Sequence, residues 1–182
     1  MNTIHPDLSR VIISEADIQS RVRELAQQID QDYKGAERVI LIGILKGAFI
    51  FLSDLARALQ IPHMVDFMAV SSYGKTATTT GAVRLVLDVR EPIENEHVVI
   101  IEDIVDSGHT LDYLLHTLNG RKPASLRTCA LIQKERQQLQ VPIDYLGFKI
   151  PDVWVVGYDL DYADTHRTHP FVAELKPEVY QD

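Results

Sequence analysis

Two stretches of this chain, VILIGIL at 39–45 and VVII at 98–101, are apolar without a break. A strand with one wet face alternates apolar and polar side chains, so an unbroken run has to hide both faces. Covering a sheet on both sides takes helices, and the sequence supplies them. Residues 14–33 open on Ser14 with Asp17 three positions later, a weak capping-box signal, and Ile18, Val22, Leu25 and Ile29 then share one helical face. Phe51, Leu52, Leu55 and Leu59 repeat with helical spacing until Gln60-Ile61-Pro62 stops them. Leu111, Leu114, Leu115 and Leu118 do the same before Asn119-Gly120. Further strands are expected at 64–70, 82–88, 126–132, 144–148 and 153–159, whereas SSYGKTATTTG (71–81) has no apolar periodicity. Strands alternating with helices predict an α/β domain around a mainly parallel sheet. No repeat or linker divides the chain, so residues 1–182 read as a single domain.

Charge and cysteine content narrow the function. A formal charge of −8 argues against a broad basic surface for nucleic acid. Cys129 is the lone cysteine, which rules out an intrachain disulfide and suits a reducing compartment. The first residues, MNTIHPDLSR, lack the order of a signal peptide, and no apolar run approaches the roughly 20 residues a membrane-spanning helix needs. The expectation is a cytoplasmic protein with neither a membrane nor a nucleic-acid partner.

In a parallel sheet, ligands bind beyond the carboxyl ends of the strands. There the chain reads VVIIEDIVDSGHTL (98–111). Ser107, Gly108 and Thr110 sit where a strand turns into a helix, so backbone N–H groups, hydroxyls and the helix dipole can converge on an anion. Ser107 as a plain helix cap is the other reading. Glu102, Asp103 and Asp106 crowd the same place, and burying them without cations or donors would cost several kcal/mol. A ligand that combines sugar hydroxyls, phosphate and Mg2+ accounts for the acids and the hydroxyl loop together. No G-x-x-x-x-G-K-[ST] string occurs, so this is not a P-loop. Asp103 and Asp106 are three apart, awkward for an aspartate-nucleophile phosphatase.

The stretch resembles the phosphoribosyl-pyrophosphate signature of type I phosphoribosyltransferases: an apolar run, two acids, two apolar residues, Asp, a small polar residue, Gly, x, Thr. Leu45-Lys46-Gly47 matches the pyrophosphate loop of the hypoxanthine-guanine branch, and Ser72-Tyr73-Gly74 the start of its mobile loop. Lys134 falls at the branch's base-binding lysine, residues 150–162 at its purine segment and Arg167 at its late arginine. The resemblance implies a mainly parallel twisted sheet flanked by helices, with a small hood formed by the terminal segments. It implies purine salvage with Mg2+ as cofactor: the 5-phosphoribosyl group passes from phosphoribosyl pyrophosphate to N9 of hypoxanthine or guanine, giving IMP or GMP and pyrophosphate.

The same resemblance implies roles. Asp106, Ser107, Gly108, His109 and Thr110 would cradle the 5′-phosphate, with Asp106 also the general base. Glu102 and Asp103 would hold the ribose hydroxyls and magnesium, and Asp161 a second magnesium. Lys46, Gly47 and Arg167 would meet pyrophosphate, with a cis peptide between Leu45 and Lys46. Lys134, Trp154, Val155 and Asp161 would form the purine site, and Ser72 and Tyr73 would begin a lid over residues 73–81. A homodimer or homotetramer is expected. Two residues depart from the pattern: Asp159 adds charge near the purine site, and Glu135 beside Lys134 either points elsewhere or pairs with it, partly neutralising it or turning it away. His166-x-x-His169 has a metal-like spacing without further evident ligands. The alternatives are a transferase of xanthine or adenine, a non-catalytic regulator that binds nucleic acid, and a phosphatase.

Overall fold

The structure, a computed structural model, describes residues 5–72, 83–135 and 141–181. Along the chain run β1 (Leu8–Ile13), α1 (Glu15–Asp32), β2 (Val39–Leu45), α2 (Phe49–Ala58), β3 (His63–Ser72) and β4 (Val83–Leu87). Then come β5 (His97–Val105), α3 (His109–Asn119), β6 (Ser125–Lys134), β7 (Tyr145–Ile150), β8 (Val155–Val156), β9 (Val172–Leu175) and α4 (Pro177–Tyr180).

The large sheet has the order β4-β3-β2-β5-β6-β7, parallel throughout except for the antiparallel edge strand β4. The two unbroken apolar runs are its central pair, β2 and β5. Their side chains alternate between two covered faces, as an uninterrupted run requires. Leu41, Val99 and Ile101 pack with Ile18, Val22, Leu25, Phe51 and Leu55 of α1 and α2. Ile40, Ile42 and Ile100 pack with Leu111, Leu114 and Leu118 of α3. At Gly43 a Cβ would come within 2.5 Å of Leu52 Cδ2, so the missing side chain lets α2 lie close on the sheet. Ser14 caps α1 by accepting from Asp17 N–H at 3.2 Å, the contact its spacing predicts.

Two elements differ from expectation. Residues 153–159 do not form a further strand of the main sheet; only β8 pairs, and it joins a second sheet of order β1-β9-β8. Its other two strands, β1 and β9, carry no clear sequence signal, because each is short and they pair antiparallel across the length of the chain. Leu8, Val156, Ala173 and Leu175 form the small core of this sheet. It is the hood of terminal segments that the resemblance implies. No helix among the described residues is long and apolar enough to cross a membrane.

Candidate active site

Because β3 lies on one side of β2 and β6 on the other side of β5, chain connections diverge at the β2–β5 boundary. A crevice at such a switch point needs no extra construction. The loops 45–48 and 106–108 flank it.

From β5, the chain passes through Asp106 and Ser107 to Gly108, which is the N-cap of α3 with a left-handed φ of 82°. No side chain caps this helix. Ser107 is therefore not a helix cap, and the first N–H groups of α3 are left for a ligand. Glu102, Ile104, Val105, Asp106, Ser107, Gly108, Thr110 and Leu111 line a small cavity of about 90 Å³ here.

Glu102 and Asp103 are both buried at the end of β5. Burial pushes the Glu102 carboxyl well above its ordinary range, and the neighbouring Asp103 adds to this. Asp103 is pushed up to about 6, mainly by burial, although Ile104 N–H donates to its Oδ1 at 2.7 Å. Oxygen donors held this way suit a hard divalent cation, which would relieve their repulsion and desolvation. Gly47 faces the pair: a Cβ there would overlap the Asp103 carboxylate. The Leu45–Lys46 peptide is cis, as the resemblance implies.

Across the crevice, Asp103, Ile104, Asp106, Lys134, Trp154, Val155, Leu160 and Asp161 line a cavity of about 190 Å³. Lys134 ends β6 and is buried; its Nζ lies 3.5 Å from Asp152 Oδ1, 3.8 Å from Asp106 Oδ2 and 5.8 Å from the Trp154 ring centre. Glu135 is exposed, whereas Lys134 is buried. Lys134 still lines the cavity, so the second departure does not turn it away. Trp154 is 49% exposed, with one edge against Tyr162 and a tilted contact to Tyr180. An aromatic ring left this open is a platform for another ring.

The two cations assigned to pyrophosphate meet on one carboxylate. Lys46 Nζ donates to Asp164 Oδ1 at 2.9 Å, and Arg167 reaches the same oxygen at 3.6 Å. Arg167 also donates to Asp161 and to the Asp159 carbonyl. Lys46 holds the Asp164 carboxyl below its usual range. His109 begins α3, Ser72 ends β3, and Tyr73 with the rest of the expected lid lies outside the described residues.

The phosphoribosyl transferase domain model matches residues 14–163. The chain belongs to the phosphoribosyltransferase family. Its chemistry is thus phosphoribosyl transfer, and the chain is an enzyme. It is 47% identical over 175 residues to the hypoxanthine-guanine phosphoribosyltransferase of Dictyostelium discoideum, covering 94% of this chain and 97% of that one. It is 44% identical over 167 residues to the hypoxanthine phosphoribosyltransferase of Salmonella typhimurium, covering 91% and 94%. A crystal structure of a hypoxanthine phosphoribosyltransferase from Staphylococcus aureus superposes with a TM-score of 0.93 at 42% identity over 100% of both chains.

Asp159 also differs from expectation. It is not among the residues that line the cavity with Lys134 and Trp154. Its side chain is fully buried, and its two oxygens accept from Ile50 N–H at 2.8 Å and Phe51 N–H at 2.6 Å. It thereby caps α2, whose own N-cap, Ala48, offers no side-chain acceptor. Burial nevertheless pushes its carboxyl up to about 7. Tyr158 adds a bond from its hydroxyl to Asp54 Oδ2 at 2.6 Å, so residues 158 and 159 latch their segment to α2 at two points. Sequence reasoning also misses Asp152 and Asp164. Neither carries a local signal; only folding brings them to Lys134 and Lys46.

Proposed function

We propose that this chain is a hypoxanthine-guanine phosphoribosyltransferase of purine salvage, a single domain over residues 1–182 that works in the cytoplasm. It transfers the 5-phosphoribosyl group from phosphoribosyl pyrophosphate to N9 of hypoxanthine or guanine, giving IMP or GMP and pyrophosphate. The observation that carries this reading is one cavity lined by buried Lys134, half-exposed Trp154 and Asp106 of the hydroxyl loop.

The 5′-phosphate sits on the uncapped start of α3, held by the N–H groups and hydroxyls of residues 106–110. The ribose hydroxyls donate to Glu102 and Asp103. These carboxylates, with Asp161, would hold Mg2+, which when bound neutralises charge on the departing pyrophosphate. Lys46 and Arg167 exchange Asp164 for pyrophosphate, so Asp164 keeps both cations aimed while the site is empty. The purine lies on Trp154 with Val155 at its edge. Lys134, which has three donors and no acceptor, gives a hydrogen bond to the 6-oxo group. Asp106 takes the ring proton as N9 attacks C1 of the sugar. A carboxylate beside the loop that binds the sugar phosphate is placed for both tasks. Lid closure by Ser72, Tyr73 and the residues after them would exclude water from the cationic sugar.

A homodimer or homotetramer is the proposed assembly, and the exposed Val65, Val86 and Leu87 of β3 and β4 are apolar surface that self-association would cover. Steady-state release of pyrophosphate with hypoxanthine, guanine, xanthine and adenine, each with Mg2+, tests the function. Turnover confined to 6-oxopurines is expected. Pyrophosphate release that no purine stimulates would refute it.

A further inference from the structure

Three histidines that no step of the transfer uses gather at the edge of the hood. His5 and Asp7 precede β1, and His166 and His169 lie between β8 and β9, with 159 positions separating Asp7 from His166. Leu8 N–H donates to His5 O, and Lys176 N–H to Asp7 O, both at 2.9 Å, so the N-terminal arm is held against the end of β9. His166 Nε2 lies 3.0 Å from Asp7 Oδ2, and His5 Nδ1 lies 3.5 Å from the same oxygen. One donor atom from each of the three residues lies within 4.8 Å of the others.

We propose that His5, Asp7 and His166 form a binding site for a divalent transition-metal ion of the zinc class, separate from the magnesium site at Glu102 and Asp103. With metal bonds of about 2.0–2.1 Å, tetrahedral geometry sets neighbouring donors about 3.3 Å apart. The two separations from Asp7, 3.0 Å and 3.5 Å, bracket that value, and the third pair lies within 4.8 Å, so binding draws the His5 and His166 nitrogens together around the ion. Two imidazoles and one carboxylate select zinc-class ions over magnesium, which prefers oxygen throughout. Three protein ligands leave a fourth position for water, and the exposed His5 leaves an entry path.

The surroundings fit this donor set. His166 Nδ1, the nitrogen facing away from Asp7, lies 3.4 Å from His169 Nε2, and the two rings stack. Such a partner on the second nitrogen fixes a ligand's tautomer and ring angle. His169 in turn stacks on Phe171. Asp7 N–H donates to His5 Nδ1 at 3.3 Å, which leaves that ring's proton on Nε2 and its lone pair turned toward Asp7. A bond this long yields readily to a metal. His166 has a left-handed φ of 65°, a backbone that L-residues rarely adopt, and its side chain reaches the arm from there.

The test uses the full chain, stripped with chelator and kept in saturating Mg2+, then titrated with Zn2+ against a chromophoric chelator. Co2+ provides a second readout through the visible absorption of a tetrahedral ion. One zinc per chain is expected, with stoichiometric binding lost in His166→Ala and Asp7→Asn. His169→Ala should weaken binding by about 10–100-fold. His116→Ala, at an exposed position of α3, should leave it unchanged. Because His5 is exposed, His5→Ala keeps the test open even if His166→Ala fails to fold: lowered zinc affinity there supports the site. Wild-type affinity in His5→Ala, less than one zinc per wild-type chain, or binding that survives in Asp7→Asn overturns it.

Discussion

Replacing Lys134 by alanine removes the ammonium at the closed side of the base cavity, with two competing effects. The first is on stability: the ammonium lies 3.5 Å and 3.8 Å from the Asp152 and Asp106 carboxylates, and its loss ends both ion pairs. The Lys134 side chain is only 11% exposed, but those carboxylates are 44% and 45% exposed, so water screens both pairs and each contributes about 1 kcal/mol or less. The second is on the substrate: a hydrogen bond from a charged donor to the 6-oxo group is worth roughly 1.5–3 kcal/mol, about ten- to a hundred-fold. Neither carboxylate is at close hydrogen-bond distance, so the ammonium still has a donor for that oxygen. The kinetic effect therefore wins. Lys134→Ala should fold with a nearly unchanged melting temperature and lose about 10–100-fold in kcat/KM for hypoxanthine and guanine. KM for phosphoribosyl pyrophosphate should change little, and Lys134→Gln, which keeps a neutral donor, should fall between. The assay is steady-state kinetics at saturating phosphoribosyl pyrophosphate and Mg2+. Wild-type efficiency with both oxopurines, or a loss seen only in the KM for phosphoribosyl pyrophosphate, would refute the placement of Lys134 against the base.

Three further outcomes are expected. Asp106→Asn keeps the shape of the loop but removes the base, so turnover should drop by about 10²–10⁴ with phosphoribosyl pyrophosphate affinity nearly kept; near-normal turnover would mean Asp106 only binds. In Gly47→Ala the new Cβ displaces the Asp103 carboxylate, and a misplacement of this kind can cost about 100-fold in kcat/KM for phosphoribosyl pyrophosphate. The circular dichroism spectrum should stay that of the wild type, and wild-type kinetics would show that the loop gives way instead. Asp103 titrates near 6 and Glu102 above its ordinary range, so without metal the folded state holds protons that the unfolded chain has released above about pH 4. Stability of the metal-free protein should accordingly fall as pH rises through about 6, and the gain in melting temperature on adding Mg2+ should grow over the same window; an equal gain at pH 5 and pH 8 would exclude this linkage.

Residue order alone settles whatever local spacing encodes. Unbroken apolar runs marked β2 and β5 as strands covered on both faces, because only such strands can omit polar positions. Helical spacing of Leu111, Leu114 and Leu118 fixed the face of α3, and the glycine and hydroxyls at its start make the loop a candidate for an anion, because a helix start exposes N–H groups whatever surrounds it. The rest came from folding. Strands β1 and β9 each become a strand only when the other arrives, across 164 positions between Arg10 and Glu174. Glu135 is next to Lys134 in sequence, yet the fold leaves one exposed and buries the other in the cavity. Asp159 looks like a charge beside the purine and is instead the cap of a helix 108 positions earlier at Phe51. His166 gains Asp7 and His5, and Lys46 gains Asp164, by the same route. In each case the partner is remote in the chain, and a side chain's electrostatic surroundings are set by what lies within a few ångströms of it, which residue order does not specify.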